Sequence, residues 1–200
     1  MWISRAQYNA PESPRLCTKH TDRTQSRTMN THLQNERAEA LLQSAEAKFG
    51  FVPNLLRELS KSPAALEVYL QGQASLAHDD NVLSPRDKNL VQLVTSATAD
   101  CKYCTAAHVA MGKGAGSSND ALTAVARGES VSESEGKAFV DATRLLIAKQ
   151  GNLTGADLAA LEAQGIDKAT LYEVVGSISV KLLSNWVNHI ANTKVDAQFE

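Results

Sequence analysis

Two cysteines stand three residues apart and a histidine follows four residues later, in the run Cys101-Lys102-Tyr103-Cys104-Thr105-Ala106-Ala107-His108. On an α-helix, residues three and four apart share a face, so Cys101, Cys104 and His108 form one stripe. Cysteines at this spacing can be bridged with modest adjustment of the turn, because a disulfide needs Cα atoms within about 7 Å. The working nucleophile of a cysteine is its thiolate, which a neighbouring base or a helix N-terminus makes available near neutral pH. In this register His108 lies one turn beyond Cys104, close enough to take its proton. The types and spacing predict a redox or peroxidatic thiol pair with its own base.

The elements that must position this stripe read as helices. Ala38, Leu41, Leu42, Ala45 and Phe49 recur at helical spacing over 35–49, and Gly50 closes the segment. A short helix is expected from Pro53 to Leu59. Pro63 opens another, which carries Leu66, Tyr69, Leu70, Gln73 and Leu76. His78-Asp79-Asp80-Asn81 reads as a solvated loop. Ser84-Pro85 is an N-cap followed by proline, and the helix behind it delivers the chain to Asp100 and the cysteines. The cysteine helix should run to about Lys113, where glycines stop it. A short helix restarts at Ser117 or Ser118, and Ser132 to Glu135 reads as a capping box before Phe139, Ala142, Leu145 and Leu146. Thr154 to Ala163 is a further short helix. Asp167 opens the last one, with Leu171, Val174, Val175, Ile178, Leu182, Trp186 and Ile190 on one stripe. No run alternates with period two. The fold class expected is all-α.

Helical context discriminates among the chemistries that two nearby cysteines serve. A thioredoxin-type motif follows a strand, whereas here a helix precedes it; a c-type haem site has histidine directly after the second cysteine, and Thr105 stands there. Zinc would gain three ligands from Cys101, Cys104 and His108, but it wants four, and only His189 or Cys17 could supply the last by tertiary approach. Inert buried cysteines with a core histidine are the plain structural alternative, against which stand the polar neighbours Asp100, Lys102 and Thr105.

Composition sets outer limits. The chain has 200 residues, 43% hydrophobic and 21% charged, with a net charge of −2. That suits one globular domain with a real core. Nucleic acid is not an expected partner, given the acidic balance and 5% aromatic content. No run of roughly 18 apolar residues, the length of a membrane span, occurs. Three cysteines, Cys17, Cys101 and Cys104, are too few for a secreted disulfide framework, so a reducing compartment is expected. Residues 1–30 differ in kind: five basic against two acidic residues give +3, prolines interrupt, and no apolar period emerges. They are expected to be a disordered extension, faintly similar to a transit peptide, with the domain running from 31 to 200. Cys17 is then an incidental thiol.

With these flanks, the Cys101-x-x-Cys104-x-x-x-His108 motif resembles the AhpD-like alkylhydroperoxidase group of the carboxymuconolactone decarboxylase superfamily. The preceding Leu83-Ser84-Pro85-Arg86-Asp87 and the Phe51-Val52-Pro53-Asn54 entry are part of that resemblance, and the tail from Asn185 to Thr193 resembles that of the family's peroxidase-related members. The resemblance implies an AhpD-like helical bundle with the cysteine pair at a helix N-terminus, and a homo-oligomer, trimeric or hexameric. It also implies thiol-dependent reduction of peroxides: Cys104 attacks, Cys101 resolves it as a disulfide, and His108 belongs to a proton relay. No metal or organic cofactor is implied. A dithiol reductant, lipoyl or thioredoxin-like, would restore the thiols.

One residue departs from the family pattern, which has glutamate twelve residues before the first cysteine. Asn89 stands there, and an amide cannot take a proton. A weakened relay is expected, and Asn89→Glu should restore neutral-pH activity. His189 lies on the apolar stripe of the last helix and is expected to be a core or interface histidine; facing the thiols is the alternative. Glu67, Tyr69 and Tyr103 are candidates to border a pocket. The reading is thus a cytoplasmic thiol peroxidase or disulfide reductase; a non-catalytic redox-responsive or zinc-stabilised interaction module is its rival.

Overall fold

The structure, a computed structural model, describes the backbone from Thr21 to Glu200 and the side chains from Gln34 onward. Helices α1 (Thr21–Phe49), α2 (Asn54–Leu59), α3 (Pro63–Ser75), α4 (Pro85–Thr98), α5 (Lys102–Gly112), α6 (Asn119–Ala126), α7 (Lys137–Lys149), α8 (Gly155–Glu162) and α9 (Lys168–Ala191) make the fold all-α, with no strand among the described residues. The apolar spacing read over 35–49 occupies the second half of α1. Residues 1–20, Cys17 among them, lie outside the described residues. Residues 21–30, read as part of the extension, form the first turns of α1.

The axis of the bundle is α4. Ser84 caps it by accepting from Asp87 N at 3.1 Å, and Pro85 takes the first turn, where a missing N–H costs nothing. Residues 89–96 are all buried, because α5, α6, α7 and α9 pack around it. Its apolar side chains serve two cores. Val91 packs with Ala142, Leu146, Leu171, Val174 and Ile178. Leu90, Leu93 and Val94 pack with Leu122, Val125 and Val140. A third core joins Leu55, Leu56, Leu59 and Leu66 to Cys101, Tyr103 and Cys104.

Two expectations fail in instructive ways. No capping box forms at Ser132: residues 133–135 make a 3-10 turn, and Gly136, at φ 85°, starts α7 instead. A Cβ at Gly136 would come within 2.8 Å of Leu90 Cδ1, so the close approach of this turn to α4 sets where α7 begins. The stripe expected along α9 holds for Leu171, Val174, Ile178 and the half-buried Leu182. Val175, Trp186 and Ile190 are exposed instead, Ile190 by 88%, and from Lys181 on the buried positions are Lys181, Ser184, Asn185 and Asn188.

Candidate active site

The site is built on the α4–α5 turn. Asp100 adopts φ 53°, a left-handed conformation that aspartate tolerates better than most side chains, and Cys101 N closes back onto Ser96 O at 3.0 Å. The chain reverses within three residues, so α5 runs back along α4. This reversal sets Asn89, twelve residues before Cys101, against His108, seven after it. Gly112 permits the approach at the far end: a Cβ there would meet Asn89 Nδ2 at 2.7 Å and Leu122 Cδ2 at 2.3 Å.

Cys101 is the N-cap of α5 and Cys104 lies in its first turn, where unpaired N–H groups and the helix dipole favour negative charge. Both are buried as free thiols. Asn188 Nδ2 donates to Cys104 Sγ at 3.1 Å, and the Ser184 hydroxyl, which donates to Lys181 O at 2.8 Å, lies 3.9 Å from the sulfur. The Cys101 thiol also donates to Cys104. This bond, the Lys181 ammonium and the contacts from Asn188 and Ser184 together outweigh burial and pull the Cys104 thiol down to about 6. Cys101 is pushed upward, because it must keep the proton it donates and because it is buried. The pair is therefore polarised, with negative charge favoured on Cys104 and the proton on Cys101.

His108 is buried between two partners. Asn89 Oδ1 lies 2.9 Å from Nδ1, and Lys181 Nζ lies 3.0 Å from Nε2; Asn89 Nδ2 also donates to His108 O at 3.1 Å. An ammonium only donates and a carbonyl oxygen only accepts, so the network assigns the ring its tautomer. Nδ1–H donates to Asn89, and the Nε2 lone pair accepts from Lys181. Burial foremost, then the charges of Lys181 and Lys88, hold the ring's pKa well below the ordinary histidine range. A proton gained here would set a second cation beside the Lys181 ammonium. The structure thus brings Cys101, Cys104, His108 and Asn89 together, but engages both ring nitrogens away from the sulfur.

Sequence reasoning missed Lys181, Ser184 and Asn188. They lie at i, i+3 and i+7 on α9, which is one helical face, and oppose His108 and Cys104 in turn. The available signal was that regular polar spacing within the helix. It was passed over because the apolar side chains interleaved with it looked like the core face.

A cleft of about 440 Å³ opens between the first turn of α5 and the end of α9. Cys101 lines it, with Tyr103, Asn188, His189 and Thr193 among its walls, whereas Cys104 is not part of its lining. Asn188 Oδ1 and Thr193 Oγ1 are buried there without a hydrogen-bond partner. His189 is exposed on this wall and not in the core of the chain, because the buried face of α9 rotates onto the site. Tyr103 OH donates to Asp196 Oδ2 at 2.5 Å, and Asp196 also accepts from Asn54 N at 3.1 Å. Phe199 stands edge-on to Tyr103 with ring centroids 6.0 Å apart, so the C-terminal tail is strapped across the cysteine turn. Glu67 pairs with Arg37 and Tyr69 packs at the edge of the third core. Among the described residues no three His, Cys, Asp or Glu side chains converge as metal ligands. No described helix is long and apolar enough to cross a membrane.

A model of the carboxymuconolactone decarboxylase family matches residues 63–148, from α3 to the end of α7. Comparison with curated proteins found no match. Among solved structures, a peroxidase-related protein from Ralstonia eutropha JMP134, described as an alkylhydroperoxidase AhpD core, superposes with a TM-score of 0.73. It shares 20% identity over 82% of this chain and 87% of its own. A peroxidase-related protein from Silicibacter sp. TM1040 gives 0.69 at 16% identity, with the same coverage. The debrominase Bmp8 in its apo form gives 0.61 at 15% identity over 91% of each chain.

Proposed function

We propose, from an AhpD-like helical fold whose residues 63–148 match the carboxymuconolactone decarboxylase family, that this chain is a thiol-dependent peroxidase working through Cys104 and Cys101. The observation that carries the reading is the buried pair of free cysteines at the first turn of α5, with Asn188 Nδ2 donating to Cys104 Sγ at 3.1 Å and Cys101 lining the cleft. In the proposed reaction, Cys104 thiolate attacks one peroxide oxygen, the O–O bond breaks, and the alkoxide leaves with a proton from solvent. Cys104 becomes a sulfenic acid. Cys101 then gives up its proton and forms the S–S bond, and the sulfenic oxygen departs as water. A dithiol reductant restores both thiols by two exchanges and is itself oxidised to a disulfide. Cys101 lines the cleft, so the reductant's first attack falls on its sulfur, and Cys104, the more acidic thiol, is the leaving group.

His108 in this scheme orients groups by hydrogen bonding and stays neutral. The partners are a small peroxide and a dithiol donor, lipoyl or thioredoxin-like, in the reducing cytoplasm. We further propose a homo-oligomer that covers the apolar side chains exposed on α9, Tyr172, Val175, Trp186 and Ile190. Trp186→Glu should lower the mass in solution, read by light scattering, and an unchanged mass would place the interface elsewhere.

The test of function is peroxide consumption with a dithiol donor. Cys104→Ser should abolish it. Cys101→Ser should react once and stop as a trapped sulfenic acid or mixed disulfide, read by mass spectrometry. A sulfenic acid trapped on Cys101 in the Cys104→Ser variant would reverse the two roles. Absence of peroxide loss in the intact protein would remove the proposal altogether.

A further inference from the structure

Lys181 is the least expected residue of the site. Its side chain is 2% exposed, on the face of α9 that carries Ser184 and Asn188. The hydrogen bond that holds it goes to a neutral imidazole. Burying an ammonium without an anion is expensive, and such charges are normally paired. No carboxylate among the described residues forms an ion pair with it. Asp87 is held by Ser84 and Arg86 at the start of α4, Asp196 by Tyr103 and Asn54, and Asp100 lies exposed at the turn. The ionisable groups around the pair are Cys101 at the N-cap of α5, Tyr103 and His108 on α5, Lys88 on α4, and Asp196 in the tail. Only the cysteines remain to supply a negative charge. Along the packed faces, Lys181 stands against His108 while Ser184 and Asn188 stand against Cys104, a separation of about one helical turn.

We propose that Lys181 is a positioning residue whose charge is balanced by the Cys104 thiolate, and that Asn89 keeps this balance by being neutral. Asn89 fixes the imidazole through its Oδ1 without adding charge. A carboxylate at that place would complete a carboxylate–imidazole–ammonium chain, and the ammonium would be neutralised from the α4 side. The thiolate would lose its counter-charge. Asn89 is then a redistribution of charge and not a weakened relay, so restoring glutamate should raise the thiol's pKa rather than help the reaction. This reverses the expectation drawn from the sequence. The inference rests on the proposed function only for its effect on turnover; the charge relation belongs to the thiol itself.

The experiment titrates the Cys104 thiolate in the full-length reduced protein. Its two readouts are thiolate ultraviolet absorbance and the pH dependence of alkylation at Cys104, located by mass spectrometry. The wild-type midpoint should lie below that of a free cysteine. Lys181→Met should raise it by at least a unit, a tenfold loss of thiolate below the midpoint. Lys181→Arg, checked for helical content, should restore most of the shift. Asn89→Glu reaches the same charge from the other side and should also raise the midpoint, which keeps the inference open to refutation if Lys181→Met does not fold. An unchanged midpoint in folded Lys181→Met, or a lowered one in Asn89→Glu, would overturn it. A normal titration in a protein that consumes no peroxide would remove the proposed function and leave this inference standing.

Discussion

The two halves of α9 obey different rules. From Lys168 to Ile178 the helix buries Leu171, Val174 and Ile178 against α4 and α7, as its apolar period requires. From Lys181 to Ala191 the same unbroken helix buries Lys181, Ser184, Asn185 and Asn188, and turns Trp186 and Ile190 outward. Nothing in the backbone changes between them. The difference is in what the buried face meets: an apolar core for the first half, and for the second the sulfur and imidazole of the site, with Leu182, Leu183 and Val187 only half-buried beside it. Hydrophobic burial fixes the helix where no chemistry is needed. Where a buried charge must be held, the neighbouring face has to be polar, and the apolar residues are left for another surface.

The largest effect expected from this contrast is on stability. Ile178→Ala removes a core side chain and should cost about 2–4 kcal/mol in chemical denaturation, while leaving the thiolate midpoint where it was. Asn188→Leu should do the opposite. It replaces a buried amide with an apolar side chain of similar size, so stability measured below pH 6, where Cys104 carries its proton, should hold, but the hydrogen bond to Cys104 is lost and the thiolate midpoint should rise. A variant that moved both quantities at that pH would show that the two halves are one cooperative unit.

That contrast also explains how much was legible beforehand. Helix boundaries came through because their signals are local: Ser84-Pro85, Ser62-Pro63 and Asp167 each cap the helix they announce. Cys101, Cys104 and His108 were legible because one helix carries them all. Asn89 was found through the family pattern, but its contact with His108 depends on the α4–α5 reversal at Asp100. Lys181 and Asn188 come from a helix more than seventy residues away. A lysine on an amphipathic helix is ordinarily solvated, and only the tertiary contact with His108 shows this one buried.

A second effect is a pH slope that distinguishes the redox states. The folded Cys104 thiol is depressed to about 6 from an ordinary value of 9.0. For a depressed acid, the stability gained is complete above the unfolded value and is lost as pH falls toward the folded one. Reduced protein should therefore gain stability from pH 6 to 9, by about 3 kcal/mol. Cys101, shifted upward, loses stability only above its ordinary value, outside that window. His108 is buried neutral, so its contribution is lost below about 6.5 in both redox states. Disulfide-bridged protein lacks the cysteine slope. The difference in Tm between reduced and oxidised protein should rise across pH 6.5–9, and the slope of the reduced protein over that range should vanish in Cys104→Ser. A flat difference would mean that Cys104 is an ordinary thiol.

The smallest effect sharpens where the two halves meet. Ser177 sits at that boundary, fully buried, with its Oγ unpartnered. An unpaired buried hydroxyl carries a desolvation cost of about 1–3 kcal/mol, and serine is a poorer helix former than alanine. If Ser177 belongs to the apolar half, Ser177→Ala should raise stability by about 1 kcal/mol and leave the thiolate titration untouched. If the polar half begins there, its hydroxyl holds a water that reaches toward Lys181, and removing it should cost stability and move the Cys104 midpoint. Denaturation and thiolate titration of this one variant decide between the two. We expect the first outcome, because the side chains buried beside Ser177, Val174 and Ile178, both belong to the apolar core. On that outcome the change of rule falls between Ile178 and Lys181, within a single turn of the helix.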